Sequence, residues 1–171
     1  MTGVTILQVV PRLDTGGSEQ ATVEPKDRDI VFKGTFDEVN RFFYSNEWGD
    51  GLPVVPPTIK KVEEFLKYTD RSPHEEIAVL PPGNLRATPS IVAANGIMAG
   101  CRPEHMPILM AAVEAIADPE YDLEQLGTTA GLNPFFIING PIIKQLGIEH
   151  GVGLVSRGPN PAIGRALGLI I

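Results

Sequence analysis

No apolar stretch in this chain runs far before a proline, a glycine or a charged residue interrupts it, and that punctuation limits what the chain can build. With 16 Pro and 18 Gly in 171 residues, long helices and long strands are both excluded, and short elements joined by specifically turned loops remain. The same interruptions leave no run near the roughly 20 apolar residues that a membrane-spanning helix needs. The stretch from Trp48 to Thr58 concentrates the effect, holding two Gly and three Pro, so its backbone is stiff and ordered without being regular.

The length suits one domain with a core of its own, or one domain and an extended arm. Residues 1–34 alternate short apolar pieces (Val4 to Val10, Ile30 to Phe32) with a polar, Gly-containing stretch from Asp14 to Asp29. They read as an extended arm, carrying strands and packing on another surface. Residues 35–171 read as the domain. Thr35-Phe36-Asp37-Glu38 fits a capping box opening a helix to about Asn46, with Phe36, Val39, Phe42 and Phe43 on the core face. Thr58 can cap a second helix, with Val62, Phe65 and Leu66 facing inward. Ile77 to Leu80 reads as a buried strand, and Thr88-Pro89 starts a helix that stops at Gly100. Pro103 and Pro107 compete to start the next, Met106 to Ala117. Phe135 to Ile138 has the continuous apolar character of a strand buried on both faces. A short helix fills 141–146, and Asn160-Pro161 opens a last one reaching Ile171. Its bare apolar end, Leu169-Ile170-Ile171, implies either that the chain is cut or that a partner chain covers it. The fold class expected is therefore α/β: a short mixed sheet with flanking helices and an extended N-terminal arm, completed by a partner subunit.

A net charge of −7 leaves no cationic surplus for a phosphate backbone or an anionic lipid surface, so neither nucleic acid nor membrane is an expected partner. The single cysteine, Cys101, rules out an internal disulfide framework, and the opening residues lack the pattern of a secretory signal, which points to the cytoplasm.

That cysteine lies in Gly100-Cys101-Arg102-Pro103-Glu104-His105. If it faces the start of the following helix, the helix dipole and Arg102 both favour a thiolate, fit for a nucleophile or a metal ligand; otherwise it is a buried, inert thiol. Glu104 or His105 would be the acid/base. No second Cys/His pair at metal-site spacing occurs, so a metal at Cys101 needs ligands from elsewhere. Beyond that candidate ion the cofactor is unknown. Asn133 and Asn139 flank the apolar run 135–138 and would display their amides at its two ends, though turn chemistry explains them equally well. The stretch from Gly151 to Pro161 brings Arg157 and Asn160 to a helix start suited to a carboxylate or phosphate, and its spacing matches no standard phosphate-binding fingerprint.

The run Glu47-Trp48-Gly49-Asp50-Gly51-Leu52-Pro53-Val54-Val55-Pro56-Pro57-Thr58, followed by Ala99-Gly100-Cys101-Arg102-Pro103-Glu104 with Met106-Pro107, Ile138-Asn139-Gly140-Pro141 and Ile163-Gly164-Arg165-Ala166, resembles the UGSC-like family of bacterial proteins. The resemblance covers residues 38–171. It implies a multi-domain or multi-subunit enzyme in which this region supplies a loop-built pocket. The family is named for a Sec/Cys-Gly-Ser-Cys motif; no such tetrapeptide occurs here, so the resemblance carries no redox role for this chain alone. Family chains continue beyond the position matching Arg165, which implies a second subunit supplying the remaining elements.

The function expected on these grounds is a subunit of a hetero-oligomeric enzyme acting on a small polar or anionic organic molecule, by lyase, hydrolase or reductive cleavage chemistry at a carbon–heteroatom bond. Cys101, Glu104 and His105 would react, and Trp48, Asp50, Asn139, Arg157, Asn160 and Arg165 would hold the substrate. The alternative is a non-catalytic structural or regulatory subunit that holds a catalytic partner, with Cys101 as packing and Trp48 as an interface anchor. Convergence of the loop groups on one cavity separates the two.

Overall fold

The structure, a computed structural model, describes residues 4–7, 30–81, 84–125, 134–151 and 156–171. In chain order these are β1 (Val4–Leu7), β2 (Ile30–Gly34), α1 (Phe36–Ser45), α2 (Ile59–Leu66), β3 (Ala78–Leu80), β4 (Leu85–Ala87), α3 (Pro89–Ala99), a 3-10 turn (Pro103–His105), α4 (Met106–Ile116), a second 3-10 turn (Leu123–Gln125), α5 (Ile142–Leu146) and α6 (Asn160–Ile170). Helix and strand are both present, as expected. The short mixed sheet is not: among the described residues the strands form two separate antiparallel pairs, β1 with β2 and β3 with β4.

Local chemistry sets the helix starts. Thr35 Oγ1 accepts from the Glu38 backbone N–H at 3.4 Å while the Glu38 carboxylate accepts from the Thr35 N–H at 2.7 Å, which completes the capping box of α1. Thr58 and Thr88 cap α2 and α3 through their hydroxyls, and Pro89 occupies the first turn of α3, where its missing N–H costs nothing. The rivalry of the two prolines near residue 105 resolves into both uses. Pro103 opens the 3-10 turn and Pro107 sits in the first turn of α4.

Helix α3 is the hub. It packs on α2, α4 and α6, and Val92, Ala93, Ala94, Ile97 and Met98 are closed off from solvent. Its small side chains let neighbours approach closely. A Cβ on Gly96 would lie 2.7 Å from Leu109 Cδ1 and 3.2 Å from Phe65 Cε1, so any larger residue forces Leu109 to shift where α2 and α4 meet α3. A second, smaller cluster of Val39, Phe43, Val54 and Met98 binds α1 and the Gly/Pro loop to the other side of α3. Two hydrogen bonds fix that loop: Val54 N–H to Asn40 Oδ1 at 2.7 Å and Val55 N–H to the Met98 carbonyl at 3.1 Å.

Four expectations give way. Phe36 is about half exposed and lies outside the core face of α1. The β3 strand is buried on one face only, since Val79 points outward between Ala78 and Leu80. Residues 135–138 form no strand; they alternate, with Phe136 and Ile138 against the core and Phe135 and Ile137 88% and 81% exposed. The apolar end of α6 needs no partner to cover it, because Ile170 is buried and Leu169 and Ile171 pack partly against this chain's own core. The polar stretch 14–29 of the expected arm and Asn133 lie outside the described residues. No described helix is long and apolar enough to cross a membrane.

Candidate functional site

The junction between α3 and α4 was the strongest chemical expectation, and its backbone explains what happens to Cys101. Helix α3 ends on Gly100 with φ +89°, a left-handed residue, after which the Cys101 N–H reaches back to the Gly96 carbonyl at 2.8 Å and the Gly100 N–H to that of Ile97 at 2.9 Å. These are the two bonds of a Schellman motif. It folds Cys101 back against its own helix, placing its Cβ 3.7 Å from where a Gly96 Cβ would stand. The side chain is buried, and burial pushes the thiol up to about 12. A protonated, enclosed thiol matches the inert of the two readings of Cys101, and it suits neither a nucleophile nor a metal ligand.

His105 is 2% exposed. Its Nδ1 accepts from the Arg102 backbone N–H at 3.2 Å, so in the neutral ring the proton sits on Nε2. Desolvation first, and then the Arg102 charge, hold its pKa below the usual value, which keeps the ring neutral. Nε2 is buried without a hydrogen-bond partner among the described residues. With one nitrogen occupied as an acceptor and the other carrying a proton, His105 has no lone pair free to serve as a base or to bind a metal. Arg102 meanwhile pairs with Glu104 through Nε at 2.9 Å and donates from Nη2 to the Leu146 carbonyl at the end of α5. The junction is a structural corner. Among the described residues no group of three or more His, Cys, Asp or Glu side chains could hold a metal ion, and the residues at Cys101 do not fit one.

Four of the six residues expected to hold a substrate, Trp48, Asp50, Asn160 and Arg165, are likewise committed to the fold. Trp48 stands edge-on to Phe42 and Phe43, with ring centroids 5.4 and 5.7 Å away, and Phe42 stacks on Phe32 at 4.5 Å. Asp50 and Arg165 are brought together, but they face each other: Arg165 Nε donates to Oδ2 at 2.7 Å and Nη2 to Oδ1 at 2.8 Å, and Nη2 also reaches the Leu52 carbonyl. The Arg165 hydrogen bonds hold the Asp50 carboxyl below its usual range. Asn160 closes on Glu149, its Oδ1 accepting from the Glu149 N–H at 3.0 Å and its Nδ2 donating to the Glu149 carbonyl at 2.9 Å. Asn139 and Arg157 are exposed; residues 152–155, in the middle of the Gly-containing stretch before α6, lie outside the described residues. The nine expected groups do not converge on one cavity.

Two of the hollows among the described residues adjoin these loops. One, of about 610 Å³, lies between α1 and the Gly/Pro loop, with Asn40, Arg41, Tyr44, Ser45, Gly51 and Leu52 among its walls. The other, of about 460 Å³, is a largely apolar groove between residues 134–138 and the Ile143, Ile148, Ile163, Gly164 and Leu167 side of α5 and α6. A run apolar at every position, such as 135–138, carries no period that could have distinguished its exposed face from its buried one. The chain matches no family model, no curated protein and no solved structure.

Proposed function

We propose that this chain is the framework subunit of a hetero-oligomeric enzyme: it holds a catalytic partner and does not itself supply the reacting groups. The observation supporting this reading is the commitment of most candidates to internal contacts, Asn139 and Arg157 being exposed instead. Cys101 is buried and protonated, His105 spends Nδ1 on the Arg102 backbone, Glu104 neutralises Arg102, and Arg165 neutralises Asp50. Groups used this way orient loops and helix ends. They are not poised to move a proton or attack a carbon. The substrate proposed for the assembly, a small polar or anionic molecule, and the UGSC-like character of the whole enzyme rest on the sequence resemblance.

The hollow beside α1 favours a second, compatible reading, in which this chain contributes one wall of the partner's site. Arg41 there is exposed, and an exposed cation can meet an anionic substrate.

The test is reconstitution of the enzyme with Cys101→Ser. The framework reading expects an intact assembly whose turnover is near that of the parent. A loss of about 100-fold or more in kcat with the assembly still intact returns Cys101 to the chemistry and ends the reading.

A further inference from the structure

Tyr44 and Leu52 are large apolar side chains left 73% and 61% exposed, and both stand in the walls of the hollow of about 610 Å³ between α1 and the Gly/Pro loop. That volume lies within the range of small-molecule sites. The loop wall is pinned on two sides, by the Val54 N–H on Asn40 Oδ1 at 2.7 Å and by Arg165 on Asp50 and on the Leu52 carbonyl. Asn40 is thereby occupied and Asp50 neutralised. Among the described residues the charged groups of the lining are one cation, Arg41, and one anion, Glu47. Arg41 forms no ion pair among the described residues. Glu38, which feels its charge, gives its carboxylate to the Thr35 N–H and hydroxyl. Glu47 has φ +53° and, of the positive-φ residues other than glycine among the described ones, it alone is neither Asn nor Asp, the side chains that tolerate this conformation. Backbone strain of this kind gathers at ligand clamps.

We propose that this hollow binds a free α-amino acid with an apolar side chain: Arg41 meets the carboxylate, Glu47 the ammonium, and Tyr44 and Leu52 cover the side chain. The proposal rests on the second reading above, in which this hollow meets an anionic substrate, and names the class. The pair of charges makes the choice. A simple carboxylate would gain Arg41 and face Glu47, a simple amine would do the reverse, and a molecule that carries both signs is attracted by both. Glu47 also holds a polar contact of its own, and a carboxylate's two oxygens accept from several donors at once. Ser45, in the same lining, adds a hydroxyl that can donate to the ligand carboxylate. An apolar side chain laid over Tyr44 and Leu52 takes surface out of water that the fold by itself leaves wet.

The experiment is a titration of the isolated full chain, followed by NMR, with three probes of one skeleton: L-phenylalanine; hydrocinnamate, which lacks the ammonium; and phenethylamine, which lacks the carboxylate. L-phenylalanine is expected to bind with a Kd of about 1 mM or tighter, the working range of small-substrate sites, and the other two roughly 10-fold more weakly or worse. Arg41→Gln is expected to weaken L-phenylalanine and hydrocinnamate and to spare phenethylamine; Glu47→Gln is expected to weaken L-phenylalanine and phenethylamine and to spare hydrocinnamate. Hydrocinnamate binding as tightly as L-phenylalanine, with both lost in Arg41→Gln, overturns the amino acid while the anionic reading stands. Phenethylamine binding as tightly as L-phenylalanine, no binding by any probe, or binding that neither variant changes overturns both. The ranking of the three probes on the wild type tests the proposal even where a variant fails to fold.

Discussion

Arg165 on α6 and Asp50 in the Gly/Pro loop are 115 positions apart and meet as a two-pronged ion pair at 2.7 and 2.8 Å. The pair is only partly exposed, at 21% and 32% of the two side chains, and it holds the loop to the helix. Replacing Arg165 by Ala should cost about 1–2 kcal/mol, between the value of a surface pair and that of an enclosed one; Arg165→Lys should recover part of it because lysine cannot grip both oxygens. Urea unfolding of the two variants and of Asp50→Asn, arranged as a double-mutant cycle, measures the coupling. A coupling near zero would show that the pair contributes no stability.

The same pair sets an acid limb. Hydrogen bonds from Arg165 lower the Asp50 pKa in the folded state. Its contribution is therefore complete above the ordinary aspartate value of 3.8 and is lost as the pH falls through and below it. Stability measured from pH 5 downward should fall more steeply in the wild type than in Asp50→Asn.

His105 acts at a higher pH. Burial lowers its pKa below the ordinary 6.5, so as the pH drops past that value the unfolded chain takes up a proton that the folded chain refuses, and stability falls. It is fully present above pH 6.5. His105→Gln removes the titration, and its unfolding free energy between pH 7.5 and 5.5 should be flatter than the parent's. Equal slopes would rule out His105 as the source.

Cys101 gives the opposite sign. Its thiol is raised from 9.0 to about 12, so between those values the unfolded chain ionises and the folded chain does not, and stability declines with rising pH. Because the side chain is buried, a soluble disulfide reagent should label the folded protein at the rate of its opening and the denatured protein at once. Rapid labelling without denaturant would contradict the buried placement.

Gly96 tests the hub. Alanine is the better helix former by about 1 kcal/mol, yet its methyl would stand 2.7 Å from Leu109 Cδ1 and 3.2 Å from the Phe65 ring. Leu109 and Phe65 are both buried, so a shift of either disturbs the packing around it. Gly96→Ala should lower stability by about 1–3 kcal/mol and leave Tm below that of the parent. Gly96→Ala with Leu109→Ala should cost less than the two changes summed.

What could be read ahead in the sequence was whatever depends on contiguous residues. Thr35 with Glu38, Thr58, and Thr88 with Pro89 mark three helix starts because a cap involves side chain and backbone only three positions apart. Gly100 marks a stop for the same reason. The contacts of the site residues could not be read ahead, because they join positions that sequence order does not display. Asp50 and Arg165 were each legible as charged groups fit to hold a substrate, but nothing local indicates that one neutralises the other. Cys101 next to Arg102 resembles an activated thiol until the Schellman turn folds it inward, and Leu169 to Ile171 looked uncovered because the core that receives them is built from residues far earlier in the chain.

Helix α3 has one half-exposed position, Ile91, and ten buried ones. A helix enclosed this way has no neutral ground on which single substitutions can accumulate. An added methylene anywhere along it has to be matched by one removed from α2, α4 or α6, so the sequences able to fill this place in the fold change in compensating pairs, while the exposed faces of α1 and α2 are free to drift one residue at a time.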